Sequence, residues 1–194
     1  MRIVLASASP RRRDLLQAFG LSFDVLPPDI PEVRTGDPAE AVLANARAKA
    51  RAVAEQVREG ALVLGVDTDV ALDGRLLGKA DTEPDARERL EALSGRTHEV
   101  LSGLAVLLPH PAGEHAEERT AIETSQVTFV PLDAAVIDLY LASGEWRDRA
   151  GAYAVQGLGS MLIERVEGDL ANVIGLPLRR LLALTPELAE KARP

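Results

Sequence analysis

The sequence predicts an α/β protein built on a mixed, twisted sheet, and three observations predict it. Short apolar runs alternate with helical stretches through the first half of the chain. Two long strand-like segments then follow each other in mid-chain. Hydrophobic residues make up 46% of the 194 residues, enough for a substantial core in one domain, or in one domain with two lobes around a cleft. Aromatic residues are only 3%, so Leu, Val, Ile and Ala must fill that core.

The elements follow in order. Ile3–Ala6 is a short buried strand, and Ser9-Pro10 opens a helix, since Ser caps well and Pro is tolerated at the first helical position. Leu15, Leu16 and Phe19 give that helix its apolar face before Gly20 stops it. Phe23–Leu26 is a second strand, ended by Pro27-Pro28. Asp37-Pro38-Ala39-Glu40 starts a helix through a capping box, and Gly60 ends it. Leu62–Val66 reads as a central strand covered on both faces, with Asp67-Thr68-Asp69 at its C-terminal end. Val70–Leu72, Asp73-Gly74 and Arg75–Leu77 form a hairpin.

Thr82-Glu83-Pro84-Asp85 opens a helix that Ser94-Gly95 closes. Strands over Glu99–Leu108 and Ala121–Val130 follow, joined by a polar, mobile connection over Pro109–Glu118. Asp133 caps a helix to Ser143, Met161–Val166 is a late strand, and Pro177–Leu184 and Pro186–Ala192 are short helices. The sequence shows no internal repeat, low-complexity tract or clear linker.

Composition narrows the function. A net charge of −8 argues against a protein that coats nucleic acid, which needs a basic face, but leaves room for a small phosphate ligand held by local cations. Without cysteine there is no thiol nucleophile and no Cys-based zinc site, which suits a cytosolic protein. His98, His110 and His115 form no HExxH pattern. No run approaches the length of a membrane span, and the N-terminal apolar stretch gives way to arginines too early for a signal peptide.

Four segments are candidates for chemistry. Arg11, Arg12 and Arg13 crowd a helix N-terminus, where the dipole disfavours cations. A bound polyphosphate would resolve that conflict; a solvated surface cluster accounts for the charges equally well. Asp67-Thr68-Asp69 pairs carboxylates that can hold Mg²⁺ or Mn²⁺ or activate water, while a polar turn or an Asp capping nearby amides explains the same pattern. Lys49, Lys79 and Glu32 are lone charges: Lys79 follows Gly78 in a loop and could reach phosphate, Glu32 could ligate metal, and Lys49 reads as solvated. In Ala150–Gly159 the glycines suggest tight turns or close backbone approach to a ligand, and the Gln156 amide matches the hydrogen-bonding edge of thymine or uracil.

Together these segments resemble the Maf family of nucleotide pyrophosphatases, named for an effect on septum formation. LASASPRRRDLL, VDTDVALDGRLLGKA, ALSGRTHEV, AGAYAVQGLGSMLIERVEGD and NVIGLPL fall in the family's order and spacing across almost the whole chain. The resemblance implies a single domain over residues 1–194, with an elongated two-lobed fold and a central cleft similar to inosine triphosphate pyrophosphatase. It implies hydrolysis of a nucleoside triphosphate at the α phosphate, assisted by Mg²⁺ or Mn²⁺, in a house-cleaning or division-linked role. On its positions the proton acceptor is Asp67, phosphate is bound by Ser9, Arg11, Arg12, Lys49 and Lys79, and Glu32 and Asp67 contact metal.

Arg11, Thr68 and Gln156 match the branch that acts on dTTP and UTP, not the branch resembling 7-methyl-GTP hydrolases, which has Gln and Glu in place of Thr68 and Gln156. Ala80, Trp146-Arg147, Arg149 and Ala154 depart from the usual pattern. The partner implied is a small-molecule nucleoside triphosphate in the cytoplasm, with neither a nucleic-acid polymer nor a membrane; a homodimer is left open. Two other readings remain. The D-x-D pattern is shared with haloacid-dehalogenase-like phosphatases, although those carry it on the first strand. A nucleotide-binding regulator of septum formation with little turnover is the other.

Overall fold

A computed structural model describes residues 2–57, 60–109 and 115–192. The strands are β1 (Arg2–Ala6), β2 (Asp24–Val25), β3 (Ala61–Leu72), β4 (Arg75–Leu76), β5 (Thr97–Pro109), β6 (His115–Phe129) and β7 (Ile163–Glu167). The helices are α1 (Pro10–Ala18), α2 (Pro38–Ala54), α3 (Glu83–Leu93), α4 (Ala134–Ser143), α5 (Leu170–Ile174) and α6 (Leu178–Leu184). All seven strands join one sheet in the order β2-β1-β3-β5-β6-β7, with β4 on β3. β1 runs parallel to β2 and β3, while the other ladders are antiparallel, so the sheet is mixed as expected.

Three helix starts follow their sequence signals. Asp37 accepts from the Glu40 amide, Asp133 from the Val136 amide, and Thr82 and Asp85 form a full reciprocal box. The first helix differs. Ser9 precedes Pro10 in extended conformation but makes no side-chain cap, which leaves its hydroxyl free.

β3 is longer than the apolar run that announces it. Asp67-Thr68-Asp69 does not end the strand but lies within it, because antiparallel pairing with β5 continues through Asp67↔Gly103, Thr68↔Ser102 and Asp69↔Leu101. What ends there is β1, whose pairing with β3 stops at Ala6↔Gly65, while β4 begins only at Ala71↔Leu76. Between them, among the described residues, one edge of β3 has no strand beside it, and side chains from both faces reach the resulting opening.

The core divides at the same place. Side chains alternate across a strand, so Leu62, Leu64 and Val66 share one face and pack with Leu5, Leu16 and Leu176. Further along that face, Val70 and Leu72 join a second cluster with Leu90, Tyr140 and Trp146. Thr68 falls between the two clusters. On the opposite face α2 is seated directly on the sheet at two glycines. A Cβ on Gly65 would lie 2.1 Å from Ala46 O, and one on Gly103 would lie 2.3 Å from Val42 O. This close approach brings Asn45 and Lys49, one helical turn apart, against Asp67.

The late strand begins at Ile163, since Met161 lies in a 3-10 helix over Gly157–Leu162. The expected last helix is a 3-10 turn over Pro186–Leu188, and α5 has no counterpart in the sequence reading. Of the Pro109–Glu118 connection, residues 110–114 lie outside the described residues, and His115–Glu118 belongs to β6. Among the described residues no helix is long and apolar enough to cross a membrane.

Candidate active site

The opening beside β3 is a cleft, and all nine residues to which the resemblance gives a role line it: Ser9, Arg11, Arg12, Glu32, Lys49, Asp67, Thr68, Lys79 and Gln156. Arg11 and Asp67 therefore face one cavity. Its wall carries five cationic side chains, Arg11, Arg12, Lys49, Lys79 and Arg149, against four acidic ones, Glu32, Asp67, Asp69 and Asp148. The cleft thus has a local excess of positive charge in a chain whose net charge is −8.

Lys49 is not a solvated lysine. Its ammonium lies 2.6 Å from Asp67 Oδ1 and 2.6 Å from Glu32 Oε1. The other Asp67 oxygen accepts from the Asn45 amide at 2.8 Å, and Asn45 also grips the backbone of Val33, beside Glu32. Burial would raise the Glu32 carboxyl. The hydrogen bond and charge of Lys49, with Lys79 and Arg34 behind it, outweigh burial and hold Glu32 below its ordinary range. A carboxylate has about four lone-pair positions. Asp67 uses two of them on Asn45 and Lys49, and so keeps acceptor capacity toward the cleft.

The three arginines of α1 divide. Arg13 is exposed beside Asp14. Arg11 leans over the cleft, donating to Ile174 O and Asp148 O. Arg12 is buried, with Nε on Gly175 O, Nη1 on Ser7 Oγ and Nη2 on Thr68 Oγ1. Burial lowers its pKa, opposed by the charges of Asp67 and Glu32. A hydroxyl has one donor and two acceptor positions. Thr68 Oγ1 spends them on Arg12, on Ser102 Oγ at 2.8 Å and on Gly175 O at 3.2 Å. Thr68 thus ties Arg12 to β5 and to the turn after α5.

Lys79 is exposed, with Asp148 4.0 Å from its ammonium. Its loop is fixed by Arg89, which donates to Leu77 O and Lys79 O, and by the Gly151 amide on Gly78 O. Asp69 does what an amide-capping Asp would do, since Oδ1 accepts from the Val70 and Gly78 amides. Burial pushes its carboxyl up to about 6, with the charges of Asp67 and Glu32 adding to the effect and the two amides opposing it. Val70, Val100, Tyr153, Val155 and Val173 give the cleft an apolar wall next to Gln156. Behind it Tyr153 hydrogen-bonds the His98 ring at 2.8 Å, and burial pushes His98 down to about 4.

Asn45, Ser102 and Arg89 complete the site and were not singled out from the sequence, because the partners that place them there lie far along the chain. The glycines of 150–159 serve turns and packing. A Cβ on Gly159 would lie 2.0 Å from Ala154 O, and one on Gly151 would lie 3.0 Å from the Val70 side chain.

Among the described residues no group of three His, Asp or Glu side chains forms a ready metal site. Glu32 and Asp67 still fit a hard cation. Their oxygens already share one positive charge, and Mg²⁺ commonly takes one or two carboxylates and completes its shell from phosphates and water.

The sequence model of the family described as "Maf-like protein" matches residues 2–188. The chain belongs to the Maf family. A dTTP/UTP pyrophosphatase of Anaeromyxobacter sp. (strain Fw109-5) is 49% identical to this Maf chain, covering 98% of it and 89% of the relative. A dTTP/UTP pyrophosphatase of Dictyoglomus thermophilum is 42% identical, covering 96% and 95%. A nucleoside-triphosphatase / dITP/XTP pyrophosphatase from Mycobacterium abscessus shares the fold, with a TM-score of 0.50 at 18% identity, over 96% of this chain and 100% of that one. The expected likeness to the inosine triphosphate pyrophosphatase fold is thereby met.

Proposed function

We propose that this chain hydrolyses dTTP and UTP between the α and β phosphates, releasing the monophosphate and pyrophosphate, and that residues 1–194 form a single domain for that purpose. The observation that carries the reading is the shared cleft, which Arg11, Lys79, the Glu32–Lys49–Asp67 cluster and Gln156 line together with an apolar wall. The dTTP/UTP pyrophosphatases that resemble the whole chain support the substrate class.

Arg11 and Lys79 grip the triphosphate, with Ser9 offering a hydroxyl at the same helix entrance. Arg12 holds the frame, and its two remaining N–H groups add positive charge from below. Asp67, fixed by Lys49 and Asn45, orients water at the α phosphorus and accepts its proton. The base lies against Tyr153 and Val155, and the Gln156 amide reads its polar edge. A divalent cation held by Glu32, Asp67 and phosphate oxygens would neutralise developing charge on the triphosphate. Positioning and electrostatics then supply most of the acceleration.

The phosphatase alternative places its acid pair on the first strand, whereas Asp67-Thr68-Asp69 lies on β3. A panel of canonical and modified triphosphates with Mg²⁺ or Mn²⁺, scored for pyrophosphate and orthophosphate, tests the proposal. Pyrophosphate from dTTP and UTP supports it. Orthophosphate supports the phosphatase reading, and saturable binding without turnover supports a regulator.

A further inference from the structure

The geometry points to Glu145, in the turn just after α4, as a positioning residue that sets the nucleotide selectivity of the cleft by fixing the backbone that carries Gln156; this rests on the functional reading above.

Gln156 precedes the 3-10 helix over Gly157–Leu162 and makes no capping bond to it, so its amide is left for the cleft. The backbone just after Gln156 is held by one carboxylate. Leu158 N donates to Glu145 Oε1 at 3.1 Å, and Gly159 N donates to Glu145 Oε2 at 3.2 Å. These are otherwise orphaned amides of a helix start, paired here with the two oxygens of one side chain. A Cβ on Gly157 would sit 2.6 Å from Glu145 Oε1, so a side chain there displaces the carboxylate, and the residue has a positive φ of 65°.

Before Gln156, the Ala154 amide donates to Tyr140 Oη at 3.1 Å, again from α4. Gln156 is therefore carried on a short span clamped at both ends by the same helix and its exit. Glu145 is itself held in place. Its amide donates to Ser143 Oγ, its carbonyl accepts from Arg149 Nε, and the neighbouring Trp146 is buried with its indole N–H on Leu141 O.

A side-chain amide discriminates between bases only where its orientation is fixed, because a mobile one can satisfy either donor or acceptor edges. Glu145→Gln keeps the shape but turns an N–H₂ toward one of the two backbone amides. We expect kcat for the preferred pyrimidine triphosphate to change less than about threefold, while the kcat/KM ratio of pyrimidine over purine triphosphates falls about tenfold. Gly157→Ala attacks the same contact from the loop side and carries the test alone where Glu145→Gln does not fold.

Folded variants whose selectivity stays within about twofold of wild type overturn the assignment, since a merely structural Glu145 would change stability and not the ratio. A wild-type chain that releases no pyrophosphate from any triphosphate overturns the functional reading first and this one with it.

Discussion

Replacing Lys49 by Met tests the electrostatic frame of the cleft. The side chain keeps its length and loses its charge. In the native structure Lys49 Nζ contacts Asp67 Oδ1 and Glu32 Oε1, both at 2.6 Å, with Lys49 and Asp67 only 11% exposed and Glu32 34% exposed. Without the ammonium, Asp67 keeps Asn45 as a donor but faces Glu32 with no cation between them. Removing one member of a buried ion pair costs about 3–5 kcal/mol. Glu32 can turn toward water, which screens its share, so the lower end applies, about 3 kcal/mol. In a chain of this size that corresponds to a melting temperature lower by about 6–12 °C.

Urea unfolding followed by circular dichroism reads the stability loss. Turnover should fall as well, because Asp67 loses the contact that orients it. In a Glu32→Gln background the Lys49→Met penalty should shrink by about 1 kcal/mol or more, since one of the two stranded charges is already gone. A Lys49→Met protein within about 0.5 kcal/mol of wild type, or a penalty identical in both backgrounds, would refute the account of this cluster.

Three further outcomes follow. Asp67→Asn should nearly abolish pyrophosphate release yet keep nucleotide binding in calorimetric titration; substantial retained turnover would remove Asp67 from its role. Gly103→Ala should force α2 off the sheet, costing about 1–3 kcal/mol or more and lowering turnover as Asn45 and Lys49 withdraw from Asp67; unchanged stability and activity would show the helix is not seated there. His98 is held neutral, its pKa pushed down to about 4 by burial. A histidine with a depressed native pKa loses stability as pH falls from about 6.5 to about 4, because only the unfolded chain takes up the proton, about 2–3 kcal/mol in all. His98→Gln should flatten that slope in urea midpoints measured across the range; equal slopes would contradict it.

Local signals in the sequence carried much of this fold. Asp37, Thr82 and Asp133 cap the helices they announce, because a cap is a contact between residues three apart. Asp73-Gly74 turns its hairpin with both residues at positive φ. The extent of β3 was not legible. Apolar character stops at Val66, whereas the strand continues on backbone pairing with β5, to which side-chain pattern is blind. α5 spans five residues, too few for a helical period to show.

The site divides in the same way. The lining residues were legible as odd charges and motifs. Their supports were not: Ser102 meets Thr68 across neighbouring strands, Asn45 meets Asp67 from a helix face, and Glu145 meets the Gln156 loop from the turn after α4. Lys49, set among alanines on α2, looked solvated until the packing of Gly65 and Gly103 placed it against Asp67.

Hydrolysis in ¹⁸O-enriched water, with mass spectrometry of both products, measures most directly where water attacks. Asp67 aimed at the α phosphorus predicts one heavy oxygen in the nucleoside monophosphate and none in the pyrophosphate. Label in pyrophosphate, or release of labelled orthophosphate, would contradict the placement of the triphosphate in this cleft.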